Sequence, residues 1–403
     1  MSKLYKITGT VQNYAWGGTH YIADLLGVNL NGEKAAEYWL GAHANAPSIV
    51  TTNEGIRALD AFIQEYLTST LGTEISADFG RLPFLFKVLD VHDVLSIQVH
   101  PNKREAEKGF KRENELGIPL TASNRNYKDD NHKPEIMVAL SDFWLLHGFL
   151  QREELIKALT NTPELTPLLP LFEKEGYYGL YKKVMEQSNQ ESETILRPLV
   201  NRILPLYKAN KLDKSSPDYW AAKAVDSAED TSILDKGIYS IYFFNIVKAN
   251  IGEAIFQDAG VPHAYLEGQN MELMANSDNV LRGGLTPKYI DVPELLKHII
   301  FEGTQPNILH GELQQDKIER IYKSVAPDFE LSQITLDESQ SYTRNTKTAE
   351  ILLVLKGEAI IKEGNTEILL KKGEAAIVLA KGSYEITTSV PTIIYKATAP
   401  LYS

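Results

Sequence analysis

Gly252-Glu253-Ala254-Ile255-Phe256 and Gly373-Glu374-Ala375-Ala376-Ile377 repeat one pattern, each after a β-type run and before a glycine corner at Gly260 or Gly382. A glycine that permits a tight reversal, followed by apolar residues of strand type, is how short strands are joined. Its recurrence implies two related β-barrels, because a closed sheet leaves no unpaired edge. The copies diverge after the corner. The first continues to His263, whereas the second has Ser383-Tyr384-Glu385, and no histidine follows His310. Any metal chemistry is therefore expected in the first barrel only.

Around residue 150 the pattern changes. Pro163, Pro167 and Pro170 punctuate short helical stretches, and Ile195, Leu196, Leu199, Val200 and Ile203 recur at helical spacing. Ser216-Pro217-Asp218 has a capping residue followed by proline, as at a helix start. Strands are expected to resume at Tyr239–Val247. The fold class that follows is mainly β with a helical insert. The expected division is a catalytic barrel in two parts (1–149 and 231–316), a helical insert (150–230) and a metal-free C-terminal barrel (317–403).

Composition excludes several functions. Its 403 residues exceed one ordinary core, and 43% hydrophobic with 23% charged residues is the balance of a globular protein. No apolar run approaches the roughly 20 residues of a membrane helix. The start, MSKLYKITGTV, has no signal-peptide core, so a cytoplasmic protein is expected, and a monomer. A net charge of −12 argues against nucleic-acid binding. With no cysteine, a metal must be held by nitrogen and oxygen ligands.

Candidate ligands lie on three β-type segments. In Leu95–His100, Leu95, Ile97 and Val99 share one face, while Ser96, Gln98 and His100 form a polar row on the other. A hairpin with Phe84–Leu89 across Asp90–Asp93 is expected, placing Lys87 on the preceding strand. Asn131–Val138 puts Lys133 and Glu135 on one face and His132 on the other, and Pro134 marks a strand start or edge. His263 follows a Gly-Val-Pro corner, and Glu272, Arg282 and Lys288 come soon after. Gln98, His100, Glu135 and His263 together offer two imidazoles, a carboxylate and an amide oxygen, a set suited to one zinc ion. The spacing is not that of a known zinc motif. Trp16 and Trp39 read as core or cleft wall.

The segments QNYAWGG (Gln12–Gly18), LSIQVHPNK (Leu95–Lys103), NHKPE (Asn131–Glu135) and the run from Gly260 to Val292 containing PHAYLEG, ANSDNVLR and GLTPKY resemble the type I phosphomannose isomerases of the cupin superfamily. The resemblance implies two cupin-like (jelly-roll) β-barrels plus an α-helical domain, with zinc on Gln98, His100, Glu135 and His263. It implies a catalytic role for Arg282, and places Trp16, Lys87, Ser96, Lys133, Tyr265, Glu272 and Lys288 around a sugar phosphate. Two positions depart from the family pattern. Asp258 stands where proline is usual, and Gln269-Asn270 where Asp-Cys is usual.

The implied reaction interconverts mannose 6-phosphate and fructose 6-phosphate by proton transfer between C1 and C2 through a cis-enediol. A metal and a guanidinium would stabilise the enediolate charge. Glu272 is the first candidate for base, with Lys133 and a metal-bound water behind it, and Arg282 acts electrostatically. The alternatives are a non-enzymatic cupin that binds sugar phosphate and, behind it, an oxygenase or hydrolase on the same barrel.

Overall fold

A computed structural model describes residues 2–401. Its longest strand, His263–Ala275, organises the first barrel. The first part of this strand pairs antiparallel with Phe143–Phe149, and the second with both Phe84–Val91 and Glu135–Ala139. The register shifts between Tyr265 and Glu267, and Gly268 follows at φ +123°. A Cβ there would stand 2.6 Å from the Asp142 carbonyl oxygen, so only glycine lets the strand turn from one set of partners to the other.

Phe84–Val91 is buried along its whole length because sheet neighbours flank it on both sides, Glu37–Gly41 being the second. It is not the arm of a hairpin with Val94–His100. Only Gln98–Val99 of that segment is strand, and it pairs with His263 and with Leu281–Arg282. The expected alternation survives this rerouting. Leu95, Ile97 and Val99 are buried, while Ser96 and Gln98 stay partly open.

Five α-helices run from Arg152 to Phe243, beyond the expected limit at 230. Tyr239–Phe243 is helix rather than strand, and Phe244–Ala249 is the strand. A short apolar run buried on every side has no periodicity to separate the two. Ser188 and Glu191 form a capping box at Asn189–Lys208, whose Leu196, Leu199, Val200 and Ile203 face the core. That core includes Ile97, Val99, Ala264 and Leu266, so the helices pack on the outer face of the metal-side strands.

The second barrel has a sheet that extends past residue 317. Leu4–Thr8 lies between Ala375–Val378 and Ile49–Thr52, and Ile49–Thr52 pairs on with Gly55–Ala58. The expected boundary therefore cuts through shared structure: Leu353 and Phe329 occupy one core with Ile136 and Leu273. The repeated turns do correspond in conformation. Gly252 and Gly373 have φ of +83° and +81°, and each precedes a strand, Ala254–Gln257 or Ala375–Val378. No helix is long and apolar enough to cross a membrane among the described residues.

Candidate metal centre and active site

Gln98 faces His263 on one side and Arg282 on the other across adjacent strands. Glu135 begins the strand Glu135–Ala139, and His100 follows the short strand Gln98–Val99. These placements bring His100, Glu135 and His263 together, with one potential ligand atom from each lying within 4.8 Å of the others. Each imidazole is oriented by a backbone carbonyl. His100 Nδ1 lies 2.8 Å from the Asn279 oxygen, and His263 Nδ1 lies 2.9 Å from the Val261 oxygen.

Both Nε2 atoms are buried and make no hydrogen bond among the described residues. They stand 3.5 Å and 3.4 Å from the two Glu135 oxygens. Two ligand atoms about 2.1 Å from one tetrahedral ion are about 3.4 Å apart, so the spacing suits a small divalent cation. Burial pushes the His100 imidazole down to about 4, which keeps a lone pair available near neutrality. Burial alone would raise the Glu135 carboxyl, but Lys133 and the imidazoles outweigh it and hold it well below the usual range. The residues fit the metal expected of them.

A cleft of about 1840 Å³ opens between the barrel and the helical domain. Trp16, Lys87, Ser96, Gln98, Lys133, Arg282 and Lys288 all line it. Lys133 reaches Glu135 at 3.0 Å. Arg282 makes no ion pair among the described residues, and burial lowers its pKa; the same cause, followed by the nearby Arg282 charge, lowers Lys288. An unpaired, partly buried guanidinium on a cleft wall is an anion-seeking group.

Five of the expected residues are absent from the wall: the buried ligands His100, Glu135 and His263, and also Tyr265 and Glu272. Glu272 and Tyr265 lie behind Lys87, the Tyr265 hydroxyl donating to Glu272 Oε1 at 2.8 Å. Lys87 Nζ donates to Glu272 Oε2 at 3.1 Å and stands 3.3 Å from Glu37 Oε2. The desolvation that would lower the Lys87 pKa is overcome by these carboxylates, and it is raised. Burial raises the Glu272 carboxyl, with Lys87 opposing. Both Glu272 oxygens are thus engaged, which weighs against it as the free base. Lys87 has its charge already matched, which weighs against it as a phosphate anchor.

Sequence reasoning missed Glu37, His43 and Asp278, all on the cleft wall. His43 Nε2 lies 3.3 Å from Asp278 Oδ1, and the imidazole packs edge-on against Trp39. The polar residues within the aromatic stretch Glu37–His43 were the available signal, since a charge among buried aromatics needs a partner.

A mannose-6-phosphate isomerase of Escherichia coli K12 is 37% identical over 371 residues, covering 91% of this chain and 92% of the relative. The chain belongs to the type I phosphomannose isomerase family. Residues 4–152 match the type I catalytic domain, and 319–395 match the mannose-6-phosphate isomerase cupin domain. The human mannose-6-phosphate isomerase is 33% identical over 398 residues, covering 91% of this chain and 90% of its own. Among solved structures, the Salmonella typhimurium mannose-6-phosphate isomerase bound to fructose 6-phosphate and zinc superposes with a TM-score of 0.87. It is 34% identical, covering 99% of this chain and all of the other. A zinc-bound mannose-6-phosphate isomerase gives the same TM-score at 33% identity.

Proposed function

We propose that this protein is a zinc-dependent isomerase interconverting mannose 6-phosphate and fructose 6-phosphate. The observation that carries the reading is the pair of orphaned Nε2 atoms facing Glu135, next to a cleft that also presents an unpaired Arg282. Gln98, His100, Glu135 and His263 would hold zinc, which would supply a Lewis acid able to stabilise negative charge on the substrate oxygens.

The other groups divide the work. Ser96 and Lys288 bind the phosphate, the first by its hydroxyl and the second by a charge no carboxylate neutralises among the described residues. Trp16 packs against the sugar. With Glu135 committed to the metal, Lys133 on the wall beside the cluster would be released from its ion pair; in its neutral form it takes the proton from one carbon and returns it to its neighbour on the same face. Arg282 stabilises the enediolate, whose charge exists only after that proton has moved. Glu37 and Lys87 on the wall, with Glu272 and Tyr265 behind them, form an ion-paired clamp that holds its shape.

A binding protein would have no need of a proton-transfer group, a guanidinium and a metal set in one cleft. The test is conversion of mannose 6-phosphate by the purified zinc-loaded protein, followed through fructose 6-phosphate formation. Tight binding of the sugar phosphate without turnover would leave the binding-only reading.

A further inference from the structure

The C-terminal barrel reaches into the catalytic segment at one point. His132 Nε2 lies 2.7 Å from Asp328 Oδ2. Asp328 belongs to the connection between the strands Glu319–Tyr322 and Glu330–Leu336, and it is fully buried. Its other oxygen, Oδ1, has no hydrogen-bond partner among the described residues. A buried carboxylate with half its acceptor capacity unused is costly to keep. Packing alone does not call for it, since an apolar residue of similar volume would fill the space without that cost.

The segment it grips is held through its backbone only at its two ends, Asn131 and Pro134, among the described residues. Regular pairing begins only at Glu135, and Pro134 has no N–H to give. On the cleft side, the Asn131 carbonyl accepts from Asn279 Nδ2 at 2.8 Å and the Pro134 carbonyl from the Ala275 N–H at 3.0 Å. Between these fixed points His132 and Lys133 project to opposite faces, as extended residues must. Lys133 enters the cleft, while His132 points to the second barrel. Fixing one side chain therefore fixes the direction of the other. Phe329, beside Asp328, is buried in the core that also contains Ile136 and Leu273, so the anchor shares a rigid body with the site.

We propose that Asp328 is a positioning residue for the isomerase reaction, which by gripping His132 holds Lys133 at its working place. The C-terminal barrel, which binds no substrate in this scheme, thereby becomes a part of the catalytic apparatus. The inference rests on the isomerase reading given above and on the place of Lys133 in the cleft beside Glu135.

The test compares Asp328→Ala, His132→Ala, their combination and Asp328→Asn with the wild type at fixed zinc. It measures kcat, KM, bound zinc and the unfolding midpoint. Asp328→Ala should lower kcat about ten- to a hundredfold, the scale of a displaced catalytic group, with KM within about twofold and zinc content unchanged. The double variant should fall no further than the worse single one, because both break the same link. Asp328→Asn keeps an oxygen that accepts from His132 and should recover to within about threefold of the wild type. A folded Asp328→Ala protein with wild-type kcat overturns the proposal, as do losses that multiply in the double variant. If Asp328→Ala does not fold, His132→Ala decides, since that side chain is partly exposed: lowered kcat at full zinc content supports the link, and unchanged kcat refutes it. An inactive wild type would refute the isomerase reading itself. An active wild type with unaffected variants would refute only the anchor.

Discussion

Replacing Lys87 by methionine separates two roles that the sequence alone could not distinguish. Methionine keeps most of the aliphatic stem and removes the ammonium, which lies 5.1 Å from the Trp39 ring centroid. Lys87 Nζ stands 3.1 Å from Glu272 and 3.3 Å from Glu37, and all three side chains are nearly excluded from solvent. At an effective dielectric of about 20, each contact is worth about 5 kcal/mol before desolvation. Removing one partner of such a buried set leaves a net loss of about 3–5 kcal/mol, because the carboxylates stay behind unpaired. The unfolding midpoint should fall by roughly 4–6 °C.

The deficit should also depend on pH. Burial already raises the Glu272 carboxyl, and loss of Lys87 raises it further. Above the unfolded carboxyl value of about 4.3, the folded variant then binds more protons than the unfolded chain, so its stability falls as pH rises. The difference from wild type should be larger at pH 8 than at pH 5. Thermal unfolding at both pH values, with zinc saturating, gives the measurement. Steady-state kinetics on the same samples should leave KM and competition by inorganic phosphate within about twofold of wild type. A wild-type midpoint with KM raised about ten- to a hundredfold, the cost of one charge-assisted contact, would mean that Lys87 grips phosphate and the clamp is illusory.

Three further outcomes are expected. Chelation should abolish turnover and zinc restore it while circular dichroism stays largely unchanged, because His100, Glu135 and His263 come from segments with their own apolar core; His263→Ala should lose more metal than Gln98→Ala, as measured by elemental analysis. Arg282→Ala should depress kcat by about ten- to a hundredfold with a modest change in KM, since its charge acts when the enediolate forms; a change in KM alone would move Arg282 to the phosphate.

What could be read from the sequence was what local periodicity controls. The row Ser96, Gln98, His100 keeps its facing even though its strand is only two residues long, because alternation needs extended backbone and not a particular partner. Partner choice was not legible. Phe84–Val91 finds Glu37–Gly41 and the long strand His263–Ala275, and nothing within Asp90–Asp93 announces that a hairpin will fail to form there. The clamp was hidden for the same reason. Glu37, Lys87 and Glu272 meet only through strands far apart in the chain, and an isolated lysine looks alike whether it faces phosphate or two carboxylates. Tyr239–Phe243 was misread because burial on all sides erases the periodicity that separates helix from strand.

The strand Leu4–Thr8 has a consequence for how the protein is made. Its neighbours include Ala375–Val378, and Leu4 sits opposite Val378. During synthesis at about 5–20 residues per second, the first strand waits roughly 20–75 s for that partner to leave the ribosome. Until then one edge of Leu4–Thr8 presents free backbone donors and acceptors, a surface that recruits other chains. Truncation after the first barrel would make that wait permanent, so the metal-binding half should aggregate when expressed alone, whereas co-expression with the missing strands should rescue it.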